Sequence, residues 1–154
     1  MYNKEEMICS FCVNDYHLAV MLIPYIYEAI EEGRKVLTFL DRDLEEIARR
    51  VISTNSKFWK KEHILNQIDF KKTRFDRIAE KFENAQNNDI IIVAGNDEFI
   101  ERMNRLIINF HTNFTIINCF YVSDIAKNEN FKISDYSKIL NTKGLEKIEK
   151  LDFV

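Results

Sequence analysis

The run Ile90-Ile91-Ile92-Val93 restricts the possible folds of this chain more than any other stretch. Four consecutive β-branched side chains are stiff in a way that favours a strand. Successive strand residues point to opposite faces, so a continuous apolar run needs cover on both sides. A parallel sheet between two layers of helices supplies that cover. The remaining sequence repeats the theme, with apolar runs alternating with segments of helical period.

The first expected strand covers residues 7–13. A helix follows over about 15–32, with Leu18, Leu22, Tyr25, Ile26 and Ala29 on one face. Asn14 or Asp15 can cap its first turn, and Gly33 is a natural stop. Residues 35–40 form a second strand. Asp43-Leu44-Glu45-Glu46 resembles a capping box that opens a helix to about Ser53. Residues 54–62 suggest a short turn docked through Phe58 and Trp59, and 63–69 a third strand. A helix from Thr73 carries Phe75, Ile78, Ala79, Phe82 and Ala85. The fourth strand is 89–95, a helix covers 97–110, and the fifth strand is 114–122. A short helix over 134–141 completes the reading. The 154 residues, with three glycines and one proline, suit one domain without flexible linkers. The expected architecture is three-layer α/β/α around a mainly parallel five-stranded sheet, RecA-like in its order of elements.

Several function classes lose support at once. No stretch approaches the roughly 20 apolar residues of a membrane helix, so the chain reads as cytoplasmic. The net charge is −3 and no basic stripe stands out, so nucleic acid is not an expected partner. Cys9-Ser10-Phe11-Cys12 is formally a C-x-x-C. An offset of three inside a strand sends its sulfurs to opposite faces, and zinc would need about four converging ligands. The three cysteines therefore read as buried thiols, with no metal and no cofactor expected.

The architecture invites a phosphate loop, which needs glycines to wrap phosphate plus a lysine and a serine or threonine. The turn after the first strand is Val13-Asn14-Asp15-Tyr16-His17, which offers none of these. In parallel sheets a binding site belongs at the carboxyl ends of the strands. The residues expected there are Asn14, Asp15 and His17, then Asp41, Arg42 and Asp43, then Asn96, Asp97 and Glu98. Ser123 and Asp124 follow the fifth strand. His17, in the first helical turn, could bind or sense an anion. The carboxylates could act as acids, bases or ligands, or could simply cap helices. Phe58 and Trp59, within the basic Lys57-Phe58-Trp59-Lys60-Lys61, are candidate partner anchors.

Three longer segments resemble the MEDS family, the sensory domain of methanogens, methylotrophs and the dichloromethane regulator. Ile23-Pro24-Tyr25-Ile26 through Glu32-Gly33-Arg34-Lys35-Val36-Leu37 is similar to its first segment. Asp69-Phe70 to Phe75-Asp76, with Phe82-Glu83-Asn84-Ala85, resembles its central stretch. Asn118-Cys119-Phe120-Tyr121 resembles its late C-x-Y strand. The first strand lacks that family's early histidine, Phe70 replaces its central aromatic, and Ala94-Gly95-Asn96 stands where it often carries a glutamate. The resemblance implies a degenerate RecA or KaiC core without its phosphate loop. It also implies signal transduction through a kinase or a transcription regulator.

The expected function is thus a non-catalytic signalling domain that acts through a protein partner, a small ligand, or both. Two alternatives differ in class. One is a small enzyme using the strand-end carboxylates with His17. The other is an oligomeric scaffold, for which a homodimer is the simplest form.

Overall fold

All six residues of the third strand in sequence, Ile90–Gly95, are buried, as the apolar run requires. The computed structural model describes residues 6–54, 64–110 and 113–148. Its strands are β1 Glu6–Cys12, β2 Val36–Leu40, β3 Ile90–Gly95, β4 Thr115–Tyr121, β5 Lys138–Asn141 and β6 Gly144–Lys147. Its helices are α1 Asp15–Glu31, α2 Glu45–Thr54, α3 Ile64–Gln67, α4 Ile78–Phe82, α5 Asp97–Ile107 and α6 Val122–Ile125. The sheet has six strands in the order β2-β3-β4-β1-β5-β6. All neighbours are parallel except the β5–β6 hairpin.

Alternation along the strands divides the core into two layers. Ile8, Cys12, Ile90 and Ile92 pack with α1 and α2, through Leu18, Leu22, Ile26, Ala48 and Ile52. Cys9, Ile91 and Val93 pack with α4 and α5, through Ile78, Phe82, Phe99, Ile100 and Met103. Each fully buried isoleucine contributes roughly 1.5–3 kcal/mol over an exposed one. The chain travels from β1 across to edge strand β2, then back through β3 to β4. Reversal of direction demands the opposite face if every crossover is to be right-handed. That is why α1 lies on one layer and α4 and α5 on the other. Cys9 and Cys12 fall in different layers, as their offset predicts, and all three cysteines are free and buried. Burial pushes the Cys9 and Cys12 thiols up to about 12, which keeps them protonated and unreactive at neutral pH.

Four expectations are corrected. Residues 63–69 form no strand: α3 occupies Ile64–Gln67, and His63 lies outside the described residues. The outer edge of β2 has no room for a partner strand. Leu40 N–H donates to Thr73 Oγ1 at 2.8 Å, and Thr73 N–H donates to the Leu40 carbonyl at 2.8 Å. Thr38 Oγ1 donates to the Asp69 carbonyl, and Lys81 Nζ to the Thr38 carbonyl. Side chains thus cap an edge that would otherwise recruit strands. The short helix expected over 134–141 is a 3-10 turn at Ile133–Asp135 followed by β5. Ile139 packs in one layer and Leu140 in the other, which a strand beside β1 allows and a helix does not. With the strand at 63–69 lost and both β5 and β6 gained, the sheet has six strands where five were expected. The helix beginning at Thr73 is shorter too: a 3-10 turn at Phe75–Arg77 leads into α4, and Ala79 is exposed. Among the described residues, no helix is long and apolar enough to cross a membrane.

Candidate functional site

The carboxyl ends of four adjacent strands are tied together by one network. Asn14 is the N-cap of α1, and its Oδ1 accepts from His17 N–H at 2.8 Å. Asp15, in the first helical turn, accepts from Tyr121 Oη at 2.6 Å through Oδ1. Arg42 Nη1 lies 3.4 Å from the same oxygen, and Arg42 Nε donates to Asp41 Oδ1 at 2.9 Å. Asp41 Oδ2 accepts from Asn96 N–H at 2.8 Å. The Arg42 guanidinium also sits 4.1 Å from the centre of the Tyr121 ring. Residues after β1, β2 and β3 and at the end of β4 thus hold one another.

The electrostatics follow from that geometry. Burial raises the Tyr121 hydroxyl far above its ordinary range, and its bond to Asp15 adds to this, with Arg42 opposing. Burial works against the charge on Arg42. The bond to Asp41 and the negative charges of Asp41 and Asp15 outweigh it, and the guanidinium stays protonated. The β3 end supplies the space for this network. A Cβ on Gly95 would lie 2.5 Å from Asp41 Cγ and 2.8 Å from Phe99 Cδ2.

The other expected site residues do not join it through their side chains. His17 Nδ1 accepts from Val13 N–H at 3.0 Å, within its own turn. Asp43 is exposed, and its Oδ1 accepts from Glu45 N–H at 2.9 Å, an Asx-type turn that leads into α2. Asn96 joins it only through its backbone N–H, while its side chain caps α5 by accepting from Phe99 N–H at 2.8 Å. Glu98 is exposed. Phe58 and Trp59 lie outside the described residues. Asp97 belongs to a second group, with Asp124, Glu101 and Asn128. The strand-end carboxylates therefore fall into two sets rather than one shared cleft. Tyr121 and Gly95 were quoted in the family comparison but were not among the expected site residues. Gly95, between a buried strand and a helix cap, carried the only hint, since isolated strand glycines mark close approach.

Asp97 makes a direct prediction. Its Oδ1 is buried and has no hydrogen-bond partner among the described residues. Burial raises its carboxyl above the ordinary value; Asp124 and Glu101 add to the rise, and a bond from Asn128 opposes it. The folded protein then holds this proton more tightly than the unfolded chain. Stability from this group is full below the unfolded value and falls as pH rises through the folded one. Asp97→Asn is expected to raise the melting temperature at neutral pH. It should leave the temperature nearly unchanged at about pH 3, where the aspartate is protonated in both states. Thermal melts across pH would check it, and equal shifts at both ends would refute it.

No protein-family model matches the chain, and no curated protein matches it. Its chemistry has to be read from its own side chains. Among the described residues, no group of three or more His, Cys, Asp or Glu is placed to hold a metal ion. Around the network, Val13 is 71% exposed, Tyr16 48% and Val122 46%. Cys12 pairs with Tyr121 across β1 and β4, so Val13 and Val122 extend from neighbouring strands at the same level.

Proposed function

We propose that this chain is a non-catalytic signal-transduction domain of RecA-like build, related to the MEDS sensory domains, whose strand-end face docks a protein partner. The strand order supports the RecA-like part: β1 is central, and its turn opens where a phosphate loop would lie. One observation carries the reading. Asp15, fixed by Tyr121 and Arg42 in the first turn of α1, puts a carboxylate where a nucleotide phosphate would sit. At roughly 4 Å and an effective dielectric of about 20, each unit of phosphate charge would meet about 4 kcal/mol of repulsion. The turn has no glycine or lysine to offset it.

Arg42 offsets this repulsion only in part, because its single positive charge stands against the two carboxylates of Asp41 and Asp15. Val13, Tyr16 and Val122 then become the groups that contact buries. A kinase or transcription regulator is the partner class that fits a sensory domain; a small ligand bound at the same face would modulate that contact. Two measurements test the reading. Purified protein is expected to release no phosphate from ATP or GTP, and neither nucleotide with Mg²⁺ should raise the melting temperature. Val13→Glu with Val122→Glu should abolish binding of the cognate partner while leaving the melt intact, and Arg49→Glu on exposed α2 should not. Nucleotide turnover, or unchanged partner binding in the double variant, would end the proposal.

A further inference from the structure

Away from the strand ends, the outer margin of β2 carries positive charge that the docking reading leaves without a role. Lys71, Lys72, Arg74, Arg77 and Lys81 line one depression of about 330 Å³, against the carboxylates Asp69 and Glu80. All five come from a single short stretch of a chain whose net charge is −3. Most of their ion pairs are loose. Lys71 Nζ is 3.9 Å from Glu45 Oε2, Arg77 Nη1 3.8 Å from Glu80 Oε2, and Lys81 Nζ 3.5 Å from Asp69 Oδ2. Arg74 holds Asp76 at 3.0 Å, and Lys72 has no ion-pair partner among the described residues. Exposed pairs of this kind hold their cations weakly, so a stronger anion can recruit them.

Lys81 differs from the other four. Its side chain is only 21% exposed, its amine donates to the Thr38 carbonyl, and it lies 4.9 Å from the centre of the Phe39 ring. Burial lowers its proton affinity, with Asp69 acting against that fall. Lys81 and Asp69 also form the wall shared with a second depression, of about 290 Å³. Ile30, Val36, Leu37 and Ile68 are part of its lining. Arg34, Lys35, Thr38 and Gln67 line it too, so a cationic depression and a mixed one, with Ile30 and Leu37 as its half-buried apolar side chains, meet at one amine. The backbone of β2 at this margin is already capped by Thr73 and Lys81, so an added strand is not what the margin receives.

We propose that these joined depressions bind a small organic phosphate monoester. Its phosphate lies among Lys72, Arg74 and Arg77 with Lys81 at the junction, and its apolar body lies against Ile30 and Leu37. A monoester carries about −1.5 to −2 charges at neutral pH and three strong acceptor oxygens, which several cations can share. The site is distinct from the strand-end face, so either proposal can fail alone.

Titration calorimetry on the full chain at low salt tests it, with phenyl phosphate, inorganic phosphate and benzyl alcohol as probes. Phenyl phosphate should saturate and bind more tightly than inorganic phosphate, and benzyl alcohol should not bind. Lys72→Ala with Arg77→Ala, both at exposed positions, should weaken phenyl phosphate about tenfold or more. Leu37→Ser should weaken phenyl phosphate but not inorganic phosphate. No saturation, equal affinity for the two phosphates, or unchanged binding in the double variant would overturn the proposal. So would binding to phosphatidic-acid vesicles without binding of the soluble probe, which would assign the cations to a lipid headgroup.

Discussion

Gly95→Ala is expected to lower the unfolding free energy by about 3 kcal/mol, the sum of an overpacking cost and a lost charge-assisted hydrogen bond. The added methyl would stand 2.5 Å from Asp41 Cγ, 2.7 Å from Asp41 Oδ2 and 2.8 Å from Phe99 Cδ2. None of these contacts is tolerable, so Asp41 must withdraw. Withdrawal breaks its 2.8 Å bond from Asn96 N–H and its 2.9 Å bond from Arg42. Gly95 is buried at the end of β3, which prevents the backbone from yielding outward. Denaturant titration should show a lower midpoint with an unchanged slope, the mark of a native-state effect. Adding Asp41→Ala should cost less than the two single changes together, because the methyl then occupies vacated space. A Gly95→Ala protein within about 0.5 kcal/mol of the parent would mean that Asp41 swings away freely. The network at the strand ends would then be ornamental.

Sequence and structure agree where burial and period point the same way. β1, β2, β3 and β4 lie within about a residue or two of their expected limits, because each is a dense apolar run. The helix over residues 97–110 was legible too. Phe99, Ile100, Met103 and Ile107 recur at helical spacing and are buried. The misreadings share a cause: short segments, where three or four residues cannot separate a period of two from one of 3.6. At 63–69, an apolar pair followed by an isolated isoleucine passed for a strand, and Ile68 instead anchors a loop on the α1 layer. At Lys138–Asn141, pairing with β1 decides the structure, and pairing between residues 130 positions apart leaves no local signal. The candidate site was half legible. Strand-end carboxylates could be named, but not that Asp15 and Asp41 share Arg42 while Asp97 turns to Asp124. Tyr121 entered the network because β4 lies beside β1, a fact of strand order rather than of spacing.

Asn104→Leu is expected to cost about 2 kcal/mol, and Asn104→Leu with Asn118→Leu to recover most of it, since buried polar groups are costly when only one partner is removed. Asn118 is 1% exposed on β4, among apolar neighbours. Its Nδ2 donates to Asn104 Oδ1 at 3.0 Å and to Tyr136 Oη at 3.0 Å, while its Oδ1 accepts from Asn104 Nδ2 at 2.9 Å. Asn104 Nδ2 also reaches the Ile100 carbonyl at 2.8 Å, so the amide face is fixed from the helix side. Burial pushes the Tyr136 hydroxyl up to about 12, so it meets this amide as a neutral phenol throughout the physiological range. Removing Asn104 alone leaves two polar atoms of Asn118 without their partner in a dry layer. Removing both takes the amide pair away together and leaves only the Tyr136 hydroxyl without its Asn118 partner. A double-mutant cycle should therefore return a coupling of roughly 1–3 kcal/mol, and a coupling near zero would show that water enters and satisfies Asn118. The pair also fixes how α5 is rotated on β4, and α5 begins at Asn96 and Asp97. If the cycle shows strong coupling, the all-leucine protein should be nearly as stable as the parent but less strictly set at the strand ends. Its Asp97→Asn gain at neutral pH should then shrink, because Asp97 would no longer be held against Asp124.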